Sequence, residues 1–174
     1  MVINRTDLNR TVILGNIGSG GKVRNVTETL LSIGQIVKLY DGLLKRVCAQ
    51  FGLTAIEAKI VGFLHNNPGR DTAGDIAEVR MLSKSNVSQA VESLIGKGLL
   101  RRETDKTDRR RVHLYLLPAA GPVCAEIDAV RGTFFGIVFA GFTAEETAQF
   151  EALKDRIVDN TIRARRGLKQ DGGK

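Results

Sequence analysis

Ser83-Lys84-Ser85-Asn86-Val87-Ser88-Gln89-Ala90-Val91-Glu92-Ser93-Leu94-Ile95-Gly96-Lys97-Gly98-Leu99-Leu100 is the stretch on which the reading of this chain turns. Val87, Ala90, Val91, Leu94 and Ile95 recur at i, i+3, i+4, i+7 and i+8, which predicts a helix with one apolar stripe. At 100° per residue the opposite face carries Ser85, Ser88, Gln89 and Glu92, with Asn86 on its flank and Lys84 in the first turn. A merely solvated face would favour Glu and Lys pairs; this one is made of short hydroxyl and amide side chains. Ser83 is placed as the helix N-cap, and Lys97-Gly98 closes the helix.

Downstream, Leu99 to Glu103 reads as a strand, and Val112-His113-Leu114-Tyr115-Leu116 alternates with period two as its antiparallel return. Between them Asp105 to Arg110 forms a projecting hairpin tip. Residues 80–113 hold nine Lys and Arg against four Asp and Glu, a surplus of five out of a formal chain charge of +7. Such a charge suits a polyanionic partner, and its concentration beside a hydrogen-bonding helix favours nucleic acid over an acidic membrane face.

Upstream, Thr72 and Asp75 predict the cap of a short helix whose buried side is Ile76, Ala77 and Val79, broken at Met81-Leu82. Before it, Thr54 and Glu57 make a capping box for a helix under Ile56, Ile60, Val61 and Leu64, stopped by Asn66-Asn67-Pro68-Gly69. The first long helix is read from Leu30, Ile33, Val37, Tyr40, Leu44 and Val47 and ends near Phe51-Gly52. After Pro118, a helix bearing Val123, Ile127, Val130 and Phe134 is expected to run to about Ala140. Thr143 and Glu146 cap a last one bearing Phe150, Leu153, Ile157 and Ile162. Gly132, Phe134, Phe135, Gly136, Ile137, Val138 and Phe139 crowd more apolar surface there than a small core covers, so a second copy of the chain is the expected cover.

The fold class predicted is mainly α with a small β-hairpin wing: a winged helix-turn-helix flanked by dimerisation helices. The boundaries are a mobile N-terminal arm over 1–26, a helical dimerisation region over 27–52 and 118–166, the winged module over 53–117, and a flexible tail over 167–174. With 174 residues, 43% of them hydrophobic and 26% charged, one folded unit is expected. The uncharged run from Gly132 to Ala144 is 13 residues, short of the roughly 20 that a spanning helix needs. No membrane partner and no secretory signal are therefore read, and a cytoplasmic, nucleoid-associated location is expected.

Short helix, tight turn, polar-faced helix and basic hairpin, in that order, resemble the MarR family of bacterial transcriptional regulators over about residues 27–166. The most specific match is Asp108-Arg109-Arg110-Arg111-Val112-His113-Leu114, which follows that family's wing pattern of Asp, any residue, Arg, then Leu four positions later. Val87 to Leu100 looks like its recognition helix running into the first wing strand. The resemblance implies that Arg109 enters the minor groove while Asp108 and Arg110 brace the hairpin. The family often has Thr where this chain has Pro118, a residue suited to a first helical position.

Both lines of reading give one function: a homodimeric, sequence-specific regulator of transcription, a ligand-responsive repressor on a pseudo-palindromic operator. Ser83, Lys84, Ser85, Asn86, Ser88 and Gln89 are expected to meet double-stranded DNA at base edges or phosphates, with Arg109, Arg110 and Arg111 doing so from the wing. Asn86 and Gln89 are the adenine-reading candidates by bidentate geometry. An arginine in a narrow A·T-rich minor groove is favoured by the negative potential there. A small-molecule effector of unspecified identity is placed around Tyr40, Leu44, Phe63 and His65, which could equally be plain core. The alternative is a winged protein-interaction module whose basic wing docks on an acidic surface without reading sequence.

No catalytic residue or required cofactor is read, since no Gly-rich phosphate loop, Ser/His/Asp order or paired carboxylates stand out. The two histidines, His65 and His113, lack metal-ligand spacing. Cys48 and Cys124 are too far apart for a disulfide scaffold. Oxidant-sensing members of the resembled family carry their cysteine near the start of the first long helix, whereas Cys48 lies near its end; a buried, inert thiol is expected.

Overall fold

The computed structural model describes residues 25–171, the side chains of 169–171 excepted. The arm expected over 1–26 lies outside the described residues except for Asn25 and Val26. Two compact units divide at residues 37 and 38. Of the first, the described part is the beginning of helix α1 (Val26–Phe51), where the Asn25 side chain accepts the backbone N–H of Thr27 at 3.1 Å. Leu30, Leu31, Ile33, Ile36 and Val37 are all exposed there.

The second unit holds the rest of α1, then α2 (Ala55–Asn66), α3 (Ala73–Arg80), α4 (Lys84–Gly96), β1 (Leu100–Thr104), β2 (Val112–Leu116), a 3₁₀ turn (Pro118–Ala120), α5 (Gly121–Val138) and α6 (Ala144–Asp171). The mainly helical fold with its two-stranded wing is the one read from the sequence. Capping boxes start α2 at Thr54/Glu57 and α3 at Thr72/Asp75. Thr143 and Glu146 exchange the same pair of bonds ahead of α6. Each box satisfies two backbone N–H groups that the helix itself cannot.

Three helices end alike. In α1, α3 and α4 a residue with positive φ is followed by a leucine whose N–H reaches back to a carbonyl of the last turn: Gly52-Leu53 to Cys48, Met81-Leu82 to Ala77, and Gly98-Leu99 to Leu94, at 2.9, 3.1 and 3.0 Å. These are Schellman ends, and each leucine packs on the core. At two of them glycine supplies the left-handed turn without strain. At the third, between α3 and α4, Met81 adopts φ 51° and ψ 39° with its side chain in solvent.

The core of this unit is one cluster. α2 packs on α4 and α5, α3 packs on α4, and β2 lies against α2 and α3. Leu44, Val47, Ile60, Phe63, Ile76, Val87, Leu94, Leu100 and Ile127 are among its buried members. Three expectations need correction. Val79 is exposed, not buried; α3 ends one residue later and Leu82, turned inward by the Schellman bond, packs on the core. The helix expected from Pro118 begins as a 3₁₀ turn and its α-helical part stops at Val138. The flexible tail expected from residue 167 is helical as far as Asp171, continuing α6. Pro118 occupies a first helical position as expected, and Leu117 before it makes no side-chain cap bond.

Candidate nucleic-acid interface

Val87, Ala90, Val91 and Leu94 bury one face of α4, which leaves Lys84, Ser85, Asn86, Ser88, Gln89 and Glu92 exposed on the other. Ser83 caps the helix by accepting the Asn86 N–H at 3.2 Å, and its Oγ lies 3.2 Å from that of Ser85. The first turn therefore presents hydroxyls, an amide, an ammonium group and the positive end of the helix dipole on one surface. That combination is complementary to phosphates and to base-edge donors and acceptors.

The wing pairs in register from Leu100 with Leu116 to Thr104 with Val112. Glu92 of α4 takes a hydrogen bond from Arg102 of β1, so the hairpin is joined to the outer face of the helix. Arg101 pairs with Glu103 on the same strand and lies 4.5 Å over the Tyr115 ring. At the tip, Asp105 organises the turn: its Oδ1 accepts from the Thr107 N–H (2.7 Å), the Thr107 hydroxyl (2.6 Å) and the Asp108 N–H (2.8 Å). Asp108 Oδ1 in turn accepts the Arg110 N–H at 3.0 Å, and the Arg111 N–H bonds the Asp108 carbonyl at 2.9 Å. The Thr107 hydroxyl, the backbone donors and the His113 ring hold the Asp105 carboxyl well below the usual carboxylate range.

Asp108 thus braces the hairpin as the resemblance implies, through backbone bonds. Arg109, Arg110 and Arg111 are exposed, and none enters an ion pair among the described residues. All nine residues singled out from the sequence lie on the surface, in two groups: the start of α4 and the wing tip.

Two features were not read from the sequence. Arg70, exposed in the turn before α3, acts with Arg111 on Asp75. The Thr72 hydroxyl, then the Thr72 N–H and these two cations, hold the Asp75 carboxyl down. Its signal was its place after Pro68-Gly69 in a turn. His113, given a plain structural role in the sequence reading, has both ring nitrogens engaged: Nδ1 is 2.7 Å from Asp71 Oδ1 and Nε2 is 3.1 Å from Asp105 Oδ2. Hydrogen bonds to Asp71 and then Asp105 raise its pKa.

The candidate effector residues are placed differently. Leu44 and Phe63 are core side chains at 1% exposure each. Tyr40 meets Phe134 edge-on at 5.5 Å, and His65 bonds Asp128 at 2.8 Å on the surface. Their spacing on the helices matched a pocket and a core equally well; Leu44 of α1 and Phe63 of α2 both belong to the core cluster. Burial pushes both cysteine thiols up, the direction of an unreactive thiol. Among the described residues no group of three or more His, Cys, Asp or Glu is placed to hold a metal ion, and no single helix is long and apolar enough to cross a membrane.

Helix, left-handed turn, polar-faced helix and braced basic hairpin define a winged helix-turn-helix protein. Residues 51–111 match the sequence model of the MarR family. The chain is similar to a MarR-family transcriptional regulator from Silicibacter pomeroyi, with a TM-score of 0.68 and 23% identity over 79% of this chain and 96% of that one. It is also similar to MepR of S. aureus, solved as a DNA complex (TM-score 0.60, 20% identity, 78% and 98% covered). A third is BpsR of Bordetella bronchiseptica, whose structure concerns regulation of DNA binding by 6-hydroxynicotinic acid (0.59, 18%, 75% and 98%). Residues 51–111 thus carry a match to the MarR family's sequence, and the chain as a whole shares the winged-helix fold of these structures.

Proposed function

We propose that this chain is a homodimeric, sequence-specific DNA-binding repressor whose occupancy of a pseudo-palindromic operator is tuned by a small ligand. The observation that carries the reading is the pairing of two unspent surfaces: the hydroxyl and amide side chains at the start of α4, and three exposed arginines on a hairpin braced by its own backbone bonds. The helix offers directional hydrogen bonds that fit base edges in a major groove, and the wing offers charge to phosphates and the minor groove. Double-stranded DNA accepts both at once.

Dimerisation is supported by apolar side chains that the single chain leaves in solvent. Phe135, Ile137, Phe142, Phe150, Leu153, Ile157 and Ile162 of α5, α6 and their connection are all exposed. An area of this kind on a soluble fold favours a subunit contact. Two-fold symmetry then predicts half-sites whose centres lie about one helical turn, roughly 34–36 Å, apart. Effector control is a population shift, in which a ligand preferring the wrong spacing of the two wings lowers DNA affinity. MepR in its DNA complex and BpsR with its nicotinic-acid derivative lend both parts precedent. The cytoplasm, at the nucleoid, is the matching location.

Selection from a pool of randomised duplexes tests the central claim. Enrichment of a pseudo-palindrome is expected; no enrichment at any salt concentration overturns sequence-specific reading.

A further inference from the structure

His113 sits where the wing meets the body of the module. Its backbone forms a bridge with Thr72, and the neighbouring Leu114 N–H donates to the Asp71 carbonyl at 2.8 Å. Its ring spans two carboxylates from different segments: Asp71, directly before the cap of α3, and Asp105, the residue that organises the wing turn. An ionised carboxylate only accepts hydrogen bonds, and a neutral imidazole has one donor and one acceptor nitrogen. Both contacts are therefore satisfied together only by the imidazolium. Neutral His113 would point a nitrogen lone pair at a carboxylate oxygen about 3 Å away.

From this geometry, and building on the DNA-binding reading above, we propose that His113 is the positioning residue of the wing, which as an imidazolium ties the Asp105 turn to the start of α3 and on losing its proton lets the arginine tip loosen. The Asp105 turn is closed by the Asp105 N–H to the Arg111 carbonyl at 2.9 Å, so its attitude determines where Arg109 and Arg110 are presented. The charges on the ring come from two segments, Asp71 of the turn before α3 and Asp105 of the wing, while Glu103 is the cross-strand partner of His113 on β1. The nearby cations Arg70 and Arg111 act on Asp75 in the first turn of α3. Tyr115, beneath Arg101, lies 6.4 Å from the ring. The two carboxylates in contact act on the ring most strongly, and both favour its charged form. Because the proton is held more tightly folded than unfolded, the tether is complete below about pH 6.5, the ordinary histidine value. It is lost as pH rises through the higher folded value.

The test titrates the full-length protein by NMR and by binding to a mixed-sequence duplex between about pH 6 and about pH 9. The expected result is a His113 ring that titrates above the ordinary value, amides of residues 105–111 that move with the same midpoint, and a lower midpoint in Asp71→Asn. Duplex affinity should fall several-fold across the range in the native protein and stay flat and weak in His113→Gln, whose melting curve reports that it still folds. A ring titrating at or below the ordinary value, or wing amides that ignore it, overturns the proposal. So does an identical pH profile of binding in the native and Gln proteins. Co-titration of ring and wing without duplex binding at any pH upholds the tether and removes the DNA reading instead.

Discussion

The ammonium group of Lys97, at the end of α4, lies 2.8 Å from Oε2 of Glu57 in the first turn of α2 and equally close to the carbonyl of Gly52. Glu57 is the one buried charged residue among those described, at 2% exposure. The same oxygen accepts the Thr54 N–H at 2.7 Å as half of the α2 capping box. One carboxylate thus joins the corner between α1 and α2 to the far end of the helix that carries the exposed hydroxyl and amide face. Burial pushes its pKa up, but bonds from Lys97, Ser93 and Thr54 outweigh this and leave it below the ordinary value.

Replacing Lys97 by Met should therefore destabilise the fold by about 1–3 kcal/mol, because a buried acceptor is deprived of its charged donor. Chemical denaturation measures it. The stabilisation from Glu57 is fully present above its ordinary value of 4.5 and is lost as pH falls through the lower folded value. The deficit of Lys97→Met relative to the native protein should accordingly shrink on acidification.

Met81→Gly should raise the melting temperature. The left-handed backbone at Met81 costs a side-chain-bearing residue about 1–2 kcal/mol, and glycine meets none of it but adds unfolded-state freedom. A net gain of up to about 1 kcal/mol is expected. Truncation sacrifices little packing, because Met81 is 80% exposed. A lower melting temperature would show that the methionine side chain is used.

Arg109→Ala should weaken operator binding by about 1–3 kcal/mol with an unchanged melting curve if the wing reads a groove. Fluorescence anisotropy on the selected duplex measures it. Unaltered affinity removes the wing tip from the interface.

Ile157→Glu should shift the protein from dimer to monomer in sedimentation while leaving helical content intact. Ile157 is 65% exposed on α6 in the single chain, so a charge there costs the monomer little and the apolar subunit interface much. A dimer that persists would place the interface elsewhere.

Much of the architecture was legible because its causes are local. The stripe Val87, Ala90, Val91, Leu94 identified α4 and, by subtraction, its outward face. The Thr54/Glu57, Thr72/Asp75 and Thr143/Glu146 pairs marked helix starts, since a cap is a bond between residues three apart. Val112 to Leu116 alternated and became β2 over that range. Val79 was misread for a physical reason. It is an apolar residue at helical spacing, and only the neighbours packed against a helix decide which such residue is covered.

Element types, their order, the polar face of α4 and the arginine tip of the wing were set by the sequence alone, because periodicity and capping act within a few residues along the chain. Tertiary structure alone decided that His113 stands between Asp71 and Asp105, 42 and 8 residues away. It also brought Lys97 to Glu57 across 40 residues, and closed Leu44 and Phe63 into core. Hydrogen bonds and burial between distant segments depend on how helices pack, and no local pattern encodes which partner arrives.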